Sequence, residues 1–222
     1  AHIKEPNNIF RGIDNLLTDD GTFILEVPHL LNIFNKNQYD NIFHEHIGFH
    51  SLKSIQDLCK ANNLKVFDVD KIDSQGGSIR CFISKSTSTQ LVSKKISVIS
   101  KIEKKSNLFL NSNLNMFKNK ILDHIERFHE LILSLKRKKK KISVYGASGK
   151  GQALLQFSKM NNNLIDFVFD KSKLKQGLYT PGTNIKIKNP KYISRKNVDY
   201  LLILSWNIKK EIIKQEKKFL KD

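Results

Sequence analysis

Apolar positions set the first element. Ile9, Phe10, Ile13, Leu16 and Leu17 recur at helical spacing and predict a helix over residues 6–17. Asp19-Asp20-Gly21 reads as a turn. The run Thr22-Phe23-Ile24-Leu25-Glu26-Val27 stops at Pro28 and predicts a short, largely buried strand. Residues 29–50 have no clean period and predict a loop with a short helix. Ser51 is placed to cap a helix through about Asn62, with Leu52, Ile55, Leu58 and Cys59 inward. Two alternating runs follow, Leu64–Val69 and Ser78–Ile83, with Gly76-Gly77 between them, and they predict a hairpin. From about Gln90 to Leu135 the spacing is helical again. Leu114, Phe117, Ile121, Ile125, Phe128, Ile132 and Leu135 step by three and four with no proline between them. That pattern predicts one long helix joining two domains, with a coiled-coil dimer as the alternative.

A second unit starts at Ile142-Ser143-Val144-Tyr145, a strand followed by a tight turn, Gly146-Ala147-Ser148-Gly149-Lys150-Gly151, and a helix from Gln152 to Met160. Ile165–Asp170 and Asp199–Leu204 read as further strands. Strands alternating with helices predict a parallel sheet with right-handed crossovers, whose ligands bind at the carboxyl ends of the strands. Gly146–Gly151, Asp170 and Ser205-Trp206-Asn207 therefore form one candidate crevice. The expected class is α/β, with domains at residues 1–88 and 139–222 and a helical linker over 89–138.

Composition narrows the function. The 222 residues carry a formal charge of +18, yet only five of the 39 basic residues are Arg. Lys and Asn rise together while Arg is scarce, a pattern that fits AT-rich codon usage better than base or phosphate recognition. The run Lys136–Lys141 has no interleaved aromatics to stack bases. Nucleic acid is therefore not the expected partner. No apolar stretch approaches the roughly 18 residues that span a bilayer. No signal peptide precedes the first amphipathic segment, so the cytoplasm is the expected compartment. Two cysteines, Cys59 and Cys81, make no disulfide framework. The opening, Ala1-His2-Ile3-Lys4-Glu5-Pro6, reads like a strand end inside a longer protein.

Two constellations could carry chemistry. The first is Phe43-His44-Glu45-His46-Ile47-Gly48-Phe49-His50. A zinc-protease motif fails because Gly48 stands where its second histidine belongs. Metal ligation by His44, His46 and His50 is one alternative, and an unspecialised polar loop is another. A base is the stronger reading: His46 as proton acceptor and Glu45 beside it to orient it or tune its charge, since imidazole titrates near neutral pH. The second is the glycine turn. It is not a P-loop, and it has Ser148 where the dinucleotide fingerprint wants a second glycine. Backbone N–H groups at a helix start, with Lys150 adding charge, suit a phosphate or diphosphate. A ligand-free turn and an NAD(P)- or nucleotide-binding module are the alternatives.

Taken together, Leu25-Glu26-Val27-Pro28-His29, Tyr39-Asp40-Asn41-Ile42-Phe43-His44-Glu45-His46, Gly76-Gly77-Ser78-Ile79-Arg80, Tyr145–Gly151, Lys175-Gln176-Gly177 with Pro181-Gly182-Thr183, and Leu204-Ser205-Trp206-Asn207 resemble the SAM-dependent C-methyltransferases of nucleotide-linked deoxysugars. The resemblance covers nearly the whole chain. It implies that residues 1–88 are the C-terminal half of a class I methyltransferase sheet and that 139–222 are a second Rossmann-like domain. The SAM-binding loop and a zinc module would lie upstream of Ala1, with no metal in this chain. The implied substrate is a 4-keto-deoxysugar on a nucleoside diphosphate. His46 matches the family's base, Glu45 the adjacent carboxylate, and Phe43 stands where the family has a tyrosine. Gly76, Gly77, Arg80, Gly146, Ser148, Lys150, Gly151, Asp170, Trp206 and Asn207 are the implied substrate contacts.

Overall fold

The computed structural model describes residues 1–221. It divides into two compact units. The first takes residues 1–38 and 44–118, and the second takes residues 39–43 and the chain from Asn119 onward.

In the first unit, α1 spans Pro6–Leu16, with Pro6 opening the first turn, where its missing N–H costs nothing. Strand β1 (Phe23–Pro28) is followed by α2 (Leu30–Asn35) and α3 (Leu52–Ala61). The expected cap is present. The Ser51 hydroxyl accepts from Ser54 N at 3.1 Å, and Ser51 N donates to Ser54 Oγ at 3.0 Å. The hairpin is present too: β2 (Leu64–Ile72) and β3 (Ser78–Lys85) pair antiparallel. Strand β3 also pairs antiparallel with β1, giving the order β1-β3-β2. A bulge at Phe67 takes its carbonyl out of the ladder, and that oxygen accepts from Ser93 N at 2.8 Å. Ser93 there caps α4 (Lys94–Ser106).

The core joins Phe10, Leu52, Ile55, Cys59, Val69, Ile79, Ile83, Ile96 and Ile99. Burying each such aliphatic side chain contributes about 1.5–3 kcal/mol. Helix α4 thus belongs to this core through Ile96 and Ile99.

The single helix expected between Gln90 and Leu135 is instead two. Helix α4 ends where Asn107 turns left-handed (φ 50°), and α5 spans Asn111–Arg137. Asn tolerates that conformation better than most residues. The Asn113 amide donates to Ser106 O at 3.0 Å and Asn107 O at 2.8 Å, taking up carbonyls that the end of α4 leaves free. Leu108, in the break, is buried.

The second unit is built on four parallel strands in the order β6-β5-β4-β7. They are β4 (Ile142–Tyr145), β5 (Phe167–Phe169), β6 (Ile187–Lys188) and β7 (Tyr200–Ile203). Every residue of β4 is buried, as a central parallel strand covered on both faces requires. Helix α6 (Gly149–Phe157) follows β4 and starts three residues earlier than expected. The reason is Ser148, whose hydroxyl accepts from Gly151 N at 3.2 Å and so begins the helix inside the glycine turn. One face packs Val144, Leu155, Val168, Ile185 and Ile187 with Ile132 of α5. The other packs Tyr145, Phe169 and Val198 with Ile212 of α7 (Lys209–Gln215) and Phe219 of α8 (Lys217–Lys221). Among the described residues no helix is long and apolar enough to cross a membrane.

Candidate active site

The carboxyl ends of β4, β5 and β7 lie at one edge of the parallel sheet, and chain order reverses at β4. Gly146 N donates to Phe169 O at 2.8 Å, and Ala147 N donates to Asp170 Oδ2 at 2.7 Å. Lys175 Nζ donates to Ala147 O at 2.8 Å. The structure therefore brings Asp170 and Lys175 to the glycine turn, and places Ser205, one residue before Trp206, beside Gly146. It also gives several of them local structural work. Asp170 fixes the glycine turn, and its other oxygen accepts from Ser172 N at 2.8 Å. Ser148 caps α6. Asn207 is exposed on the 3-10 turn Trp206–Ile208.

Gly146 has φ +99°, and a Cβ there would lie 2.5 Å from Ser205 Oγ. Gly146→Ala should therefore cost the second unit about 1–3 kcal/mol from backbone strain alone. Urea unfolding followed by emission of Trp206, the sole tryptophan, reads it; an unchanged midpoint would count against this account. Gly151 is similarly confined. Its Cβ would lie 3.1 Å from Gly146 O and 3.2 Å from the Leu204 Cβ.

Sequence reasoning did not assign Asp40, which lies in the 3-10 turn Tyr39–Asn41 and is only 2% exposed. Its Oδ2 accepts from the Trp206 indole N–H at 2.7 Å. Burial pushes this carboxyl above its ordinary range, while the Trp206 hydrogen bond and the nearby Lys150 charge pull it back. Lys150 is the complement: burial lowers its ammonium and Asp40 raises it. The Phe43 ring lies over the start of α6, 3.5 Å from where a Gly149 Cβ would stand. Tyr39 Oη meets His124 Nδ1 at 3.0 Å.

In the first unit the segment from His44 to Phe49 is irregular. The Ala1 carbonyl accepts from Ile47 N at 2.9 Å and Gly48 N at 3.2 Å. That places the His2 ring edge-on to the half-buried His46 ring, centroids 4.8 Å apart. Phe49 packs on His46 at 6.2 Å. Glu45 Oε1 lies 3.8 Å from His44 Nε2, and both side chains are well exposed. Such a pair contributes about 0–1 kcal/mol. Among the described residues no three His, Cys, Asp or Glu side chains are grouped to hold a metal ion. Burial pushes both thiols, Cys59 and Cys81, up to about 12, so neither is an activated nucleophile.

Gly76 and Gly77 close the hairpin with φ +89° and +120°. Gly76 O accepts from Lys36 Nζ at 2.9 Å and Gln38 Nε2 at 2.8 Å. Gly77 is forced, because a Cβ would lie 2.3 Å from Asn32 Nδ2. Arg80 faces Glu26 across the ladder, Nη2 to Oε2 at 2.7 Å.

An antiparallel three-stranded unit and a parallel unit with a capped glycine turn define an α/β protein. Residues 73–222 match the family described as the C-methyltransferase C-terminal domain, and the chain belongs to that family. It is 33% identical over 222 residues to the C-methyltransferase NovU of Streptomyces niveus, covering all of this chain and 53% of that protein. The chain thus spans about half the length of the curated relative it matches.

Proposed function

We propose that this chain is the C-terminal part of a C-methyltransferase. Its substrate would be a nucleotide-linked 4-keto-deoxysugar, methylated on a carbon beside the ketone. The observation that carries the reading is the match of all 222 residues to a C-methyltransferase. The strand order β1-β3-β2, with β3 antiparallel to both neighbours, supports a methyltransferase-type half-sheet. The parallel order β6-β5-β4-β7 supports a Rossmann-like second unit.

S-adenosylmethionine would supply the methyl group. The residues present do not make its site: among the described residues the first unit has no glycine-rich turn from a parallel strand into a helix, the cradle a nucleoside needs. The donor's contacts are therefore assigned to the part of the enzyme beyond this chain. What this chain contributes is the proton step. An imidazole nitrogen of His46 takes the proton from the carbon beside the ketone, leaving an enolate. Glu45 stands next to it in the chain. Gly146–Gly151, the N-terminus of α6 and Lys150 offer N–H groups and charge for the substrate diphosphate. Arg80, Gly76 and Gly77 in the first unit, and Asp170 and Asn207 in the second, are the further proposed substrate contacts.

The test is proton exchange. Full-length enzyme, incubated in D2O with a nucleotide-linked 4-keto-deoxysugar, should exchange the hydrogen beside the ketone, read by NMR. The His46→Ala variant should not accelerate it. Equal exchange in both would remove His46 from the reaction.

A further inference from the structure

A carboxylate as buried as Asp40 is costly unless its oxygens are satisfied. Trp206 answers with a donor that can do nothing else: its indole N–H has no acceptor role. The 2.7 Å bond joins residues 166 positions apart. The neighbours of Asp40 are anchored too. Tyr39 Oη meets His124 at 3.0 Å, and its ring packs edge-on to Phe157, centroids 6.1 Å apart. The Phe43 ring rests on Gly149. All these anchors lie within the second unit, and the chain leaves that unit at Phe43. Only His44 and Glu45 separate Phe43 from His46. A general base acts only when held within reach of its proton, and a misplacement of about 1 Å can cost about 10²-fold.

We propose that Asp40 and Trp206 are positioning residues for His46: their hydrogen bond fixes the anchored end of the short segment that carries the base. The inference rests on the reading of His46 given above. Trp206 then acts on the reaction through the backbone, whatever contact it also makes with substrate.

The test uses the full-length enzyme and three variants. Asp40→Leu removes the acceptor, Trp206→Phe removes the donor while keeping a ring, and Asp40→Asn keeps an oxygen that can accept the indole N–H. Asp40→Leu and Trp206→Phe should lower kcat about 10–100-fold, with KM for the nucleotide sugar within about twofold. Asp40→Asn should regain most of kcat. The emission of Trp206 should change in Asp40→Leu and stay near wild type in Asp40→Asn. Should Asp40→Leu not fold, Trp206→Phe carries the test alone. Wild-type kcat in Trp206→Phe, a raised KM with kcat unchanged, or the same loss in Asp40→Asn as in Asp40→Leu would overturn the proposal. His46→Ala separates the two readings. An inactive His46→Ala beside a fully active Trp206→Phe defeats the positioning role alone, whereas an active His46→Ala defeats both.

Discussion

In the full-length enzyme, His46→Ala should lower methyl-transfer turnover about 10²–10⁴-fold, the range that a positioned general base supplies. In the proposed reaction the carbon acid beside the ketone needs a base that is unprotonated near neutral pH, a role suited to imidazole. His46 is also held rather than loose: half-buried, edge-on to His2 at 4.8 Å and against Phe49 at 6.2 Å. Affinity for S-adenosylmethionine should stay within about twofold, because the loss is confined to the transition state. Turnover is read with the proposed nucleotide-sugar substrate saturating and methyl donor in excess. Retained turnover would return the Phe43–His50 segment to an unspecialised loop.

Glu103→Ala should destabilise the first unit by several kcal/mol, because it strands His29 and two backbone N–H groups in the core, each unsatisfied buried group costing about 1–3 kcal/mol. His29 and Glu103 are 2% and 5% exposed, with His29 Nε2 2.7 Å from Glu103 Oε1. The carboxylate does more than pair. Leu52 N donates to Oε1 at 2.7 Å and Lys53 N to Oε2 at 3.1 Å. These are the first two N–H groups of α3, which the helix itself cannot satisfy. Ser51 takes the third. A negative charge there also meets the positive end of the helix dipole. Replacing His29 and Glu103 together with leucine should recover only part of the loss, since those two N–H groups stay unpaired. Burial raises the Glu103 carboxyl, but the His29 bond and the two backbone donors outweigh it and hold it below the ordinary value. The sign follows. A folded value below the unfolded one gives stability that is present above the unfolded carboxyl range and lost as pH falls through the folded value. Urea midpoints from pH 7 to pH 3 should fall more for wild type than for Glu103→Ala. Parallel curves would show that the pair carries no linkage.

The Glu103 arrangement also shows where sequence reasoning stops. Ile96, Ile99 and Glu103 fall on one helical face, and a carboxylate on an apolar stripe is a visible anomaly. What it touches is 51 and 74 residues away, which no local pattern reveals. The Ser51 cap and the β2–β3 hairpin were legible because their partners lie close in sequence. The break at Asn107 was not, because apolar spacing continues across it and only one left-handed residue marks the end of α4. Strand β6 is two residues long, too short for alternation to declare it, although Ile185 and Ile187 hint at it. In the glycine turn, Ser148 looked like a departure from a nucleotide fingerprint; its hydroxyl is the cap of α6. The motif from Phe43 to His46 was conspicuous by composition, whereas Asp40 needed Trp206, far along the chain, to give it meaning.

The polypeptide passes between its two units three times: after Gln38, after Phe43 and after Lys118. No single cut can therefore release either unit whole. A piece starting at Asn119 would lack residues 39–43, and Tyr39, Asp40 and Asn41 are each almost wholly enclosed in the intact chain. Such a piece would show water a surface shaped for five missing residues, with the indole of Trp206 deprived of its acceptor. During synthesis the same arrangement imposes an order. Residues 39–43 leave the ribosome well before the strands that enclose them, and they must wait for β4, α6 and Trp206 to arrive. The first unit can close around its own sheet earlier, but with one loop still unclaimed.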